Sequence, residues 1–308
     1  MKTSAVSIIM STYNEKLEWV REAIESILNQ TYQAFEFIIV LDNPNNRHLE
    51  ILVREYEKQD ARIKVIKNEE NIGLAKSLNH ALEYCTGDYI VRMDADDIAY
   101  INRLEHQLTY MQENKIDILG GALQLIDEDK NVITKKVSMP IHHEEIIKRF
   151  NVTNCLPHPT WMVRKEVYVA LNGYRNIHTC EDYDLLLRAR NKGYRFGNLN
   201  ETVLNYRMTK NSISRKNALK QYYIMKYLQK NRNAIESIRN EDINEYVGPL
   251  NTNKKSERYI KANHLFTLGA TKLEQKQYIA AMLNIIGALL SSVQFANKIT
   301  RMVLCMKI

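Results

Sequence analysis

Tyr89-Ile90-Val91-Arg92-Met93-Asp94-Ala95-Asp96-Asp97 runs from an apolar stretch into three carboxylates within four residues. Tyr89 to Val91 reads as a buried strand, rich in aromatic and β-branched residues. At a strand end, three such charges repel one another and destabilise the fold unless something cationic sits among them. Mg²⁺ or Mn²⁺ suits that place, because a hard ion prefers oxygen and takes one or two carboxylates plus phosphate oxygens. The phosphates of a nucleotide would complete the shell. The plainer reading, in which Asp96 or Asp97 caps a helix beginning near Ile98, accounts for one carboxylate and leaves two.

Upstream of this stretch, strands and helices alternate. Residues 5–11 form a short β-rich run, and a helix follows Asn14 and Glu15 with Leu17, Val20, Ile24, Ile27 and Leu28 at helical spacing. Residues 35–41 are apolar except for Glu36, as in a strand buried on both faces, and end at the turn cluster 42–46. A helix over 47–58, a strand over 63–66, a helix over 75–84 and a strand over 88–93 follow. This order predicts an α/β fold with a mostly parallel central sheet covered on both faces. Ligands of such sheets bind beyond the C-terminal strand ends. Those ends carry Thr12, Tyr13, Asn14 and Glu15, then Asp42, Asn68 and Asp94 to Asp97. There is no Gly-x-Gly-x-x-Gly and no Walker-type loop, and Gly73 is the only glycine in the first 86 residues. Phosphate is therefore expected on a metal, not in a glycine-rich cradle.

The chain has 308 residues, 45% of them hydrophobic, enough for one large domain and an appendage. Cys85, Cys155, Cys180 and Cys305 are widely spaced, which argues for a reducing compartment and against zinc or a disulfide scaffold. The first apolar run, 5–10, is too short for a signal peptide, and no stretch matches a spanning helix, so a cytoplasmic catalytic region is expected. Charge divides the chain. Residues 1–215 hold 28 Lys+Arg against 30 Asp+Glu, whereas residues 216–308 hold 15 against 6. A near-neutral body with a basic tail fits an enzyme at an anionic surface better than a nucleic-acid binder. The domains expected are 1–215, catalytic, and 216–308, basic and helical. In the tail, 264–294 reads as two helices whose Leu-Gly…Tyr-x-x-Ala pattern resembles a single tetratricopeptide-like hairpin. Residues 295–308 read as an amphipathic basic helix with Lys298, Arg301 and Lys307, which would lie in a membrane interface or pack back on the body.

Several segments, in order, resemble family 2 glycosyltransferases of the GT-A fold: 6–15 with Tyr13-Asn14-Glu15, 26–32, 71–79, 93–98 with Arg103, His158-Pro159-Thr160, Arg164, Asn172-Gly173-Tyr174, Glu181-Asp182-Tyr183-Asp184, and Tyr206-Arg207 with Ser212-Ile213-Ser214. The resemblance implies a Rossmann-like GT-A domain that transfers a sugar from a nucleoside-diphosphate sugar, a UDP-sugar first, with inversion. It assigns Thr12, Tyr13, Glu15, Asp42, Asn71, Lys76, Asp94, Ala95 and Asp96 to the nucleotide sugar. Asp96 and Asp94 would hold Mn²⁺ or Mg²⁺, and Asp182 would be the base. His158, Glu181 and Arg207 would lie on the acceptor side, facing a saccharide or a polyprenyl-lipid-linked acceptor of surface polysaccharide assembly. On its residues alone, Asp182 equally suits a helix cap, Asp42 an Asx-turn before Pro44, and Tyr13 ordinary packing. Leu41, Asn46, Ile101, Asn172 and Thr209 depart from the family pattern; Thr209 stands where a histidine often reaches the metal. The processive synthases' Gln-x-x-Arg-Trp motif is absent, which favours addition of one or a few sugars. The alternatives are a metal-dependent nucleotidyltransferase acting on a sugar phosphate, which lacks support because 7–15 has no glycine-rich basic signature, and a binding module, which would have lost some of Asp94, Asp96 and Asp182.

Overall fold

A computed structural model describes residues 5–209 and 217–306. The 212–214 segment, the boundary at 215/216, Lys307 and the Leu304 side chain lie outside what it describes. The chain divides into two compact units, Met1–Ile146 with Cys155–Met208, and Ile147–Asn154 with Thr209–Ile308.

In the first unit, β1 (Val6–Thr12), β2 (Phe35–Leu41), β3 (Ile63–Lys67) and β4 (Tyr89–Asp94) are parallel neighbours in the order β3-β2-β1-β4. The connecting helices α1 (Leu17–Leu28), α2 (Arg47–Gln59) and α3 (Leu74–Leu82) return the chain to the same sheet edge, as parallel pairing requires. Their apolar stripes close over it: Val20, Ile24, Ile27, Leu49, Val53 and Leu78 are fully buried. Glu36, the one charge in β2, is satisfied at the sheet margin. Its Oε1 accepts from Ser7 Oγ at 2.5 Å, the Thr86 amide at 2.6 Å and Thr86 Oγ1 at 2.8 Å. Gly87 beside it has no room for a side chain, since a Cβ would stand 2.8 Å from the Ser7 amide.

Past β4 the sheet becomes mixed. The remaining strands are β5 (Ile98–Ala99), β6 (Ile118–Ile126), β7 (Val132–Val137), β8 (Met162–Arg164) and β9 (Phe196–Arg207), which extend the order through β8-β6-β9-β5 with β7 on β6. β8 runs antiparallel to both β4 and β6, while β6 and β9 are parallel over nearly their full length. The helix expected near Ile98 is not there. Ile98 and Ala99 pair with Asn205 and Leu204, and the Ala99 amide donates to Ser26 Oγ at 3.0 Å, so the backbone is committed to a strand. The next helix, α4, spans Arg103–Asn114. Three more helices follow, α5 (His143–Arg149), α6 (Lys165–Ala170) and α7 (Glu181–Asn191). Registers Thr12↔Leu41, Leu41↔Lys67 and Ser11↔Asp94 level the ends of β1 to β4, so the loops that follow them share one rim.

The second unit is helical among its described residues: α8 (Ala218–Lys230), a 3₁₀ turn (Arg232–Ser237), α9 (Asn240–Val247), α10 (Asn253–Glu274), α11 (Tyr278–Ser291) and α12 (Val293–Met306). The first hairpin helix thus begins eleven residues before the expected start at His264, and the second ends at Ser291. Gly269 lets α11 approach α10, since a Cβ there would meet Ile285 at 2.8 Å. The basic residues of α12 turn inward. Phe295 is buried against Tyr259 and Phe266, and Arg301 donates to Gln229 Oε1 and to the Asn151 carbonyl, both at 2.9 Å. Among the described residues no single helix is long and apolar enough to cross a membrane.

Candidate active site

The turn after β1 is held by one carboxylate. Glu15 Oε2 accepts from Thr12 Oγ1 at 2.6 Å and from the Tyr13 amide at 2.7 Å, which leaves the Tyr13 ring 41% exposed as a flat platform. Asn14 Oδ1 joins this turn to the one after β2 by accepting from Asn43 Nδ2 at 2.8 Å.

Asp94 and Asp96 flank the buried Ala95 at the end of β4, each half-buried, and the carboxylates of Asp94, Asp96 and Asp97 offer oxygens within 4.8 Å of one another. Burial, then the charges of Asp94 and Glu15, push the Asp96 carboxyl up to about 7. Such crowding is what a bound divalent cation relieves. Asp97 differs from the other two. It is fully buried, its Oδ1 accepts from the Arg207 amide at 2.8 Å, and its Oδ2 has no partner among the described residues. Burial, then Asp96 and Asp94, raise its carboxyl well above the usual range. Asp97 therefore shapes the loop, and the oxygens of Asp94 and Asp96 remain to hold an ion.

Two arginines sit beneath. Arg92 is buried and pairs with Asp94, and its charge is also felt by Asp96, His158, Tyr174 and Glu181. Arg103, at the start of α4, donates from Nη2 to the carbonyls of Arg92 and Pro159, each at 2.9 Å, and from Nε to Gln107 Oε1 at 3.0 Å. It ties the end of β4 to the 3₁₀ turn His158–Thr160. His158 is buried, with Nε2 2.9 Å from the Tyr174 hydroxyl, which is itself 2.8 Å from the Tyr168 hydroxyl. Burial and then Arg92 push its imidazolium well below the usual range, so the ring is neutral.

Glu181 and Asp182 are the first two residues of α7, where the helix dipole favours negative charge. The N-cap is Cys180, so Asp182 does not cap the helix. Both carboxylates are half-buried. Burial, then Asp182, push Glu181 up to about 7, and Asp94 also acts on it, which brings this pair and the β4 carboxylates into one electrostatic field. Behind them Asp184, fully buried, pairs with Arg175 and with Arg188 Nε at 2.8 Å. Arg188 in turn donates to the carbonyls of Leu171 at 2.6 Å and Gly173 at 2.9 Å. Gly173 has φ +67°, and Asn79 takes the place of a side chain there by pairing with both the amide and the carbonyl of Tyr174 at 2.8 Å.

Four expected residues are engaged by the protein itself or lie at the surface. Arg207, expected on the acceptor side, is engaged by the protein itself. It is buried, with Nε on the Asp96 carbonyl at 2.7 Å, Nη1 on the Glu128 carbonyl at 3.2 Å and Nη2 on Glu22 at 2.6 Å, so it supports the loop that carries Asp96. Asp42 accepts from Asn68 Nδ2 at 2.8 Å and from the amides of Ile72 at 2.9 Å and Gly73 at 3.0 Å. It anchors the turn before α3, while the Asx-turn belongs to Asn43, whose Oδ1 accepts from the Asn45 amide at 3.0 Å. Asn71, on that turn, and Lys76, on α3, are exposed. The sequence reading gave no role to the Asp184–Arg188–Arg175 cluster or to Arg92. The i, i+4 spacing of Asp184 and Arg188 was the available signal for the first, and a cation two residues before Asp94 for the second.

The chain is similar to several known proteins. The family model described as glycosyl transferase family 2 matches residues 7–171. An uncharacterized glycosyltransferase of Methanocaldococcus jannaschii is 40% identical over 237 residues, 75% of this chain and 82% of the relative. The O-antigen biosynthesis glycosyltransferase WbnJ of Escherichia coli is 37% identical over 225 residues, 72% of this chain and 86% of the relative. The fold is similar to that of the mannosyltransferase PcManGT from Pyrobaculum calidifontis, solved with GDP-Man and Mn²⁺ (TM-score 0.60, 17% identity, 98% of this chain and 87% of that one). It is also similar to that of S. aureus TarS 1–349 with UDP-GlcNAc (TM-score 0.59, 16% identity, 95% and 91%).

Proposed function

The chain belongs to glycosyl transferase family 2, and from that membership we propose that it moves a hexose or N-acetylhexosamine from a nucleoside-diphosphate sugar to a saccharide or polyprenyl-lipid-linked acceptor, with inversion, during surface polysaccharide assembly. The observation that carries this reading is the cluster of Asp94, Asp96 and Asp97 at the end of β4, whose carboxylates offer oxygens within 4.8 Å of one another. Donor phosphates belong at the Asp94 and Asp96 end. A Mn²⁺ or Mg²⁺ ion bound there would act as a Lewis acid on the departing diphosphate.

The chain's own residues do the rest. Tyr13 stacks on the base from its exposed platform, and Thr12 and Glu15 fix the turn that carries it. Arg92, buried under Asp94, offsets the carboxylate repulsion before any ligand arrives. Asp182 takes the proton of the attacking acceptor hydroxyl. With Asp182 as the base, the acceptor hydroxyl displaces the diphosphate directly, which inverts the anomeric carbon. His158, neutral and oriented by the Tyr174 hydroxyl, lines the acceptor side. The basic second unit holds the enzyme peripherally at the cytoplasmic face of a membrane, close to a lipid-linked acceptor, which the charge division favours.

A thermal-shift panel of UDP-sugars and GDP-mannose, with and without Mn²⁺, tests the donor assignment. A donor at about 100 times its dissociation constant stabilises the protein by about 2.7 kcal/mol. Stabilisation by a UDP-sugar with Mn²⁺ is expected; no shift with any nucleotide sugar would overturn the reading.

A further inference from the structure

Helix α11 carries no charged residue, and neither does the surrounding run from Gln277 to Asn297. Its inner side is narrow, made by Ala281 and Ala288, which are buried against the neighbouring helices. Its outer side leaves Tyr278, Ile279, Met282, Leu283, Ile286 and Leu290 between 45% and 83% exposed. At helical spacing these six fall in one stripe about 140° wide. A contiguous apolar surface of that kind marks a contact site.

Charge identifies the occupant. The stripe sits in a region with 15 Lys+Arg against 6 Asp+Glu, and Lys276 stands exposed just before the helix. A second copy docked on the same face would oppose two basic surfaces, whereas acidic lipid headgroups complement them. Fourteen residues measure about 21 Å, too short to span a bilayer, and the chain bends by 117° at Ser292 between α11 and the following helix. We propose that α11 lies flat in the interface of an anionic bilayer, with its apolar stripe among the acyl chains and Lys276 at the headgroups. The proposal rests on the membrane attachment suggested above and transfers the contact from α12, whose Phe295 and Arg301 face inward, to α11.

The test is flotation of the full-length protein with phosphatidylglycerol–phosphatidylcholine vesicles and with phosphatidylcholine alone, beside a variant carrying Ile279→Glu, Leu283→Glu and Leu290→Glu, with light-scattering mass and circular dichroism on both. Expected is at least tenfold weaker flotation of the variant on anionic vesicles at unchanged mass and helicity. As a check independent of the triple variant, Leu290→Trp should show a blue shift in emission, relative to wild type, when anionic vesicles are added. Equal flotation of variant and wild type, or an emission from the Leu290→Trp protein that vesicles leave unshifted, would overturn the α11 assignment and leave membrane attachment standing. Absence of flotation by the wild type would overturn both. A wild-type dimer that the variant abolishes, without vesicle binding, would give the face to a second copy and overturn the proposal.

Discussion

Arg207 donates from Nε to the main-chain oxygen of Asp96 at 2.7 Å, and its own amide donates to Asp97 Oδ1 at 2.8 Å. One residue at the end of β9 therefore fixes the backbone on which Asp96 stands and the buried carboxyl beside it. Glu22, 2.6 Å from Nη2, balances the charge.

Arg207→Met should cost about 3–5 kcal/mol, because it strips a buried ion pair, leaves the Asp96 carbonyl unpaired and leaves Glu22 with Lys130 alone. It should also weaken Mn²⁺-dependent nucleotide binding, since Asp96 loses its support. Arg207→Lys should recover only part of either, for an ammonium lacks the planar fork that reaches three acceptors. Chemical denaturation and nucleotide titration check both; a variant of wild-type stability would contradict the role.

Asp184→Ala should destabilise by about 3–5 kcal/mol, because Arg188 would remain buried without its carboxylate. Arg188 also holds the Leu171 and Gly173 carbonyls, so the turn over 172–174 should loosen with it. Hydrogen exchange at Gly173 and Tyr174 should rise well before global unfolding; unchanged exchange would mean that Asn79 alone fixes the turn.

Asp182→Asn keeps the shape of the side chain and removes its proton affinity. Turnover should fall by about 10²–10⁴ while donor binding changes little. Normal turnover, or loss of donor binding as large as the loss of rate, would remove Asp182 from the role of base.

Glu181 gives a pH dependence with a defined sign. Its carboxyl is raised from 4.5 to about 7 in the folded protein, first by burial and then by Asp182. The folded state thus holds a proton that the unfolded state has released, so its stabilising effect is complete below about 4.5 and is lost as pH rises through about 7. Melting temperature in EDTA should fall from pH 5 to pH 8, and Glu181→Gln should flatten that slope and raise the melting temperature at pH 8. An unaltered slope would show that Glu181 is not the group responsible.

The first half of the sheet was legible because its signal is local. Residues 35–41 are apolar on both faces, and Val20, Ile24 and Ile27 mark a helix by spacing alone. β5, β8 and β9 were not, because Ile98-Ala99 and Met162–Arg164 are strands only through their partners, Asn205 and Val91 among them. The same limit applies at the site. Asp94 and Asp96 can be read from their spacing beside an apolar strand, whereas Arg207, expected on the acceptor side, is buried beneath the loop it supports. Asp42 has the residue type and position of a ligand contact, and its further role in fixing the turn before α3, by accepting from Asn68, Ile72 and Gly73, shows only in the structure. In the tail, the alternation of Lys298 and Arg301 with apolar residues suits either a membrane face or packing on the protein, and the contacts of Phe295 and Arg301 show that these two side chains pack inward.

Calorimetric titration of UDP and GDP into the wild-type protein and Asp96→Ala, each with Mn²⁺ and with EDTA, tests the central claim most directly. The account predicts saturable binding of a nucleoside diphosphate by the wild type in Mn²⁺, at least tenfold weaker binding in EDTA, and equally weak binding by Asp96→Ala under both conditions. Binding that is indifferent to both the chelator and the substitution would contradict a metal-held diphosphate at the end of β4.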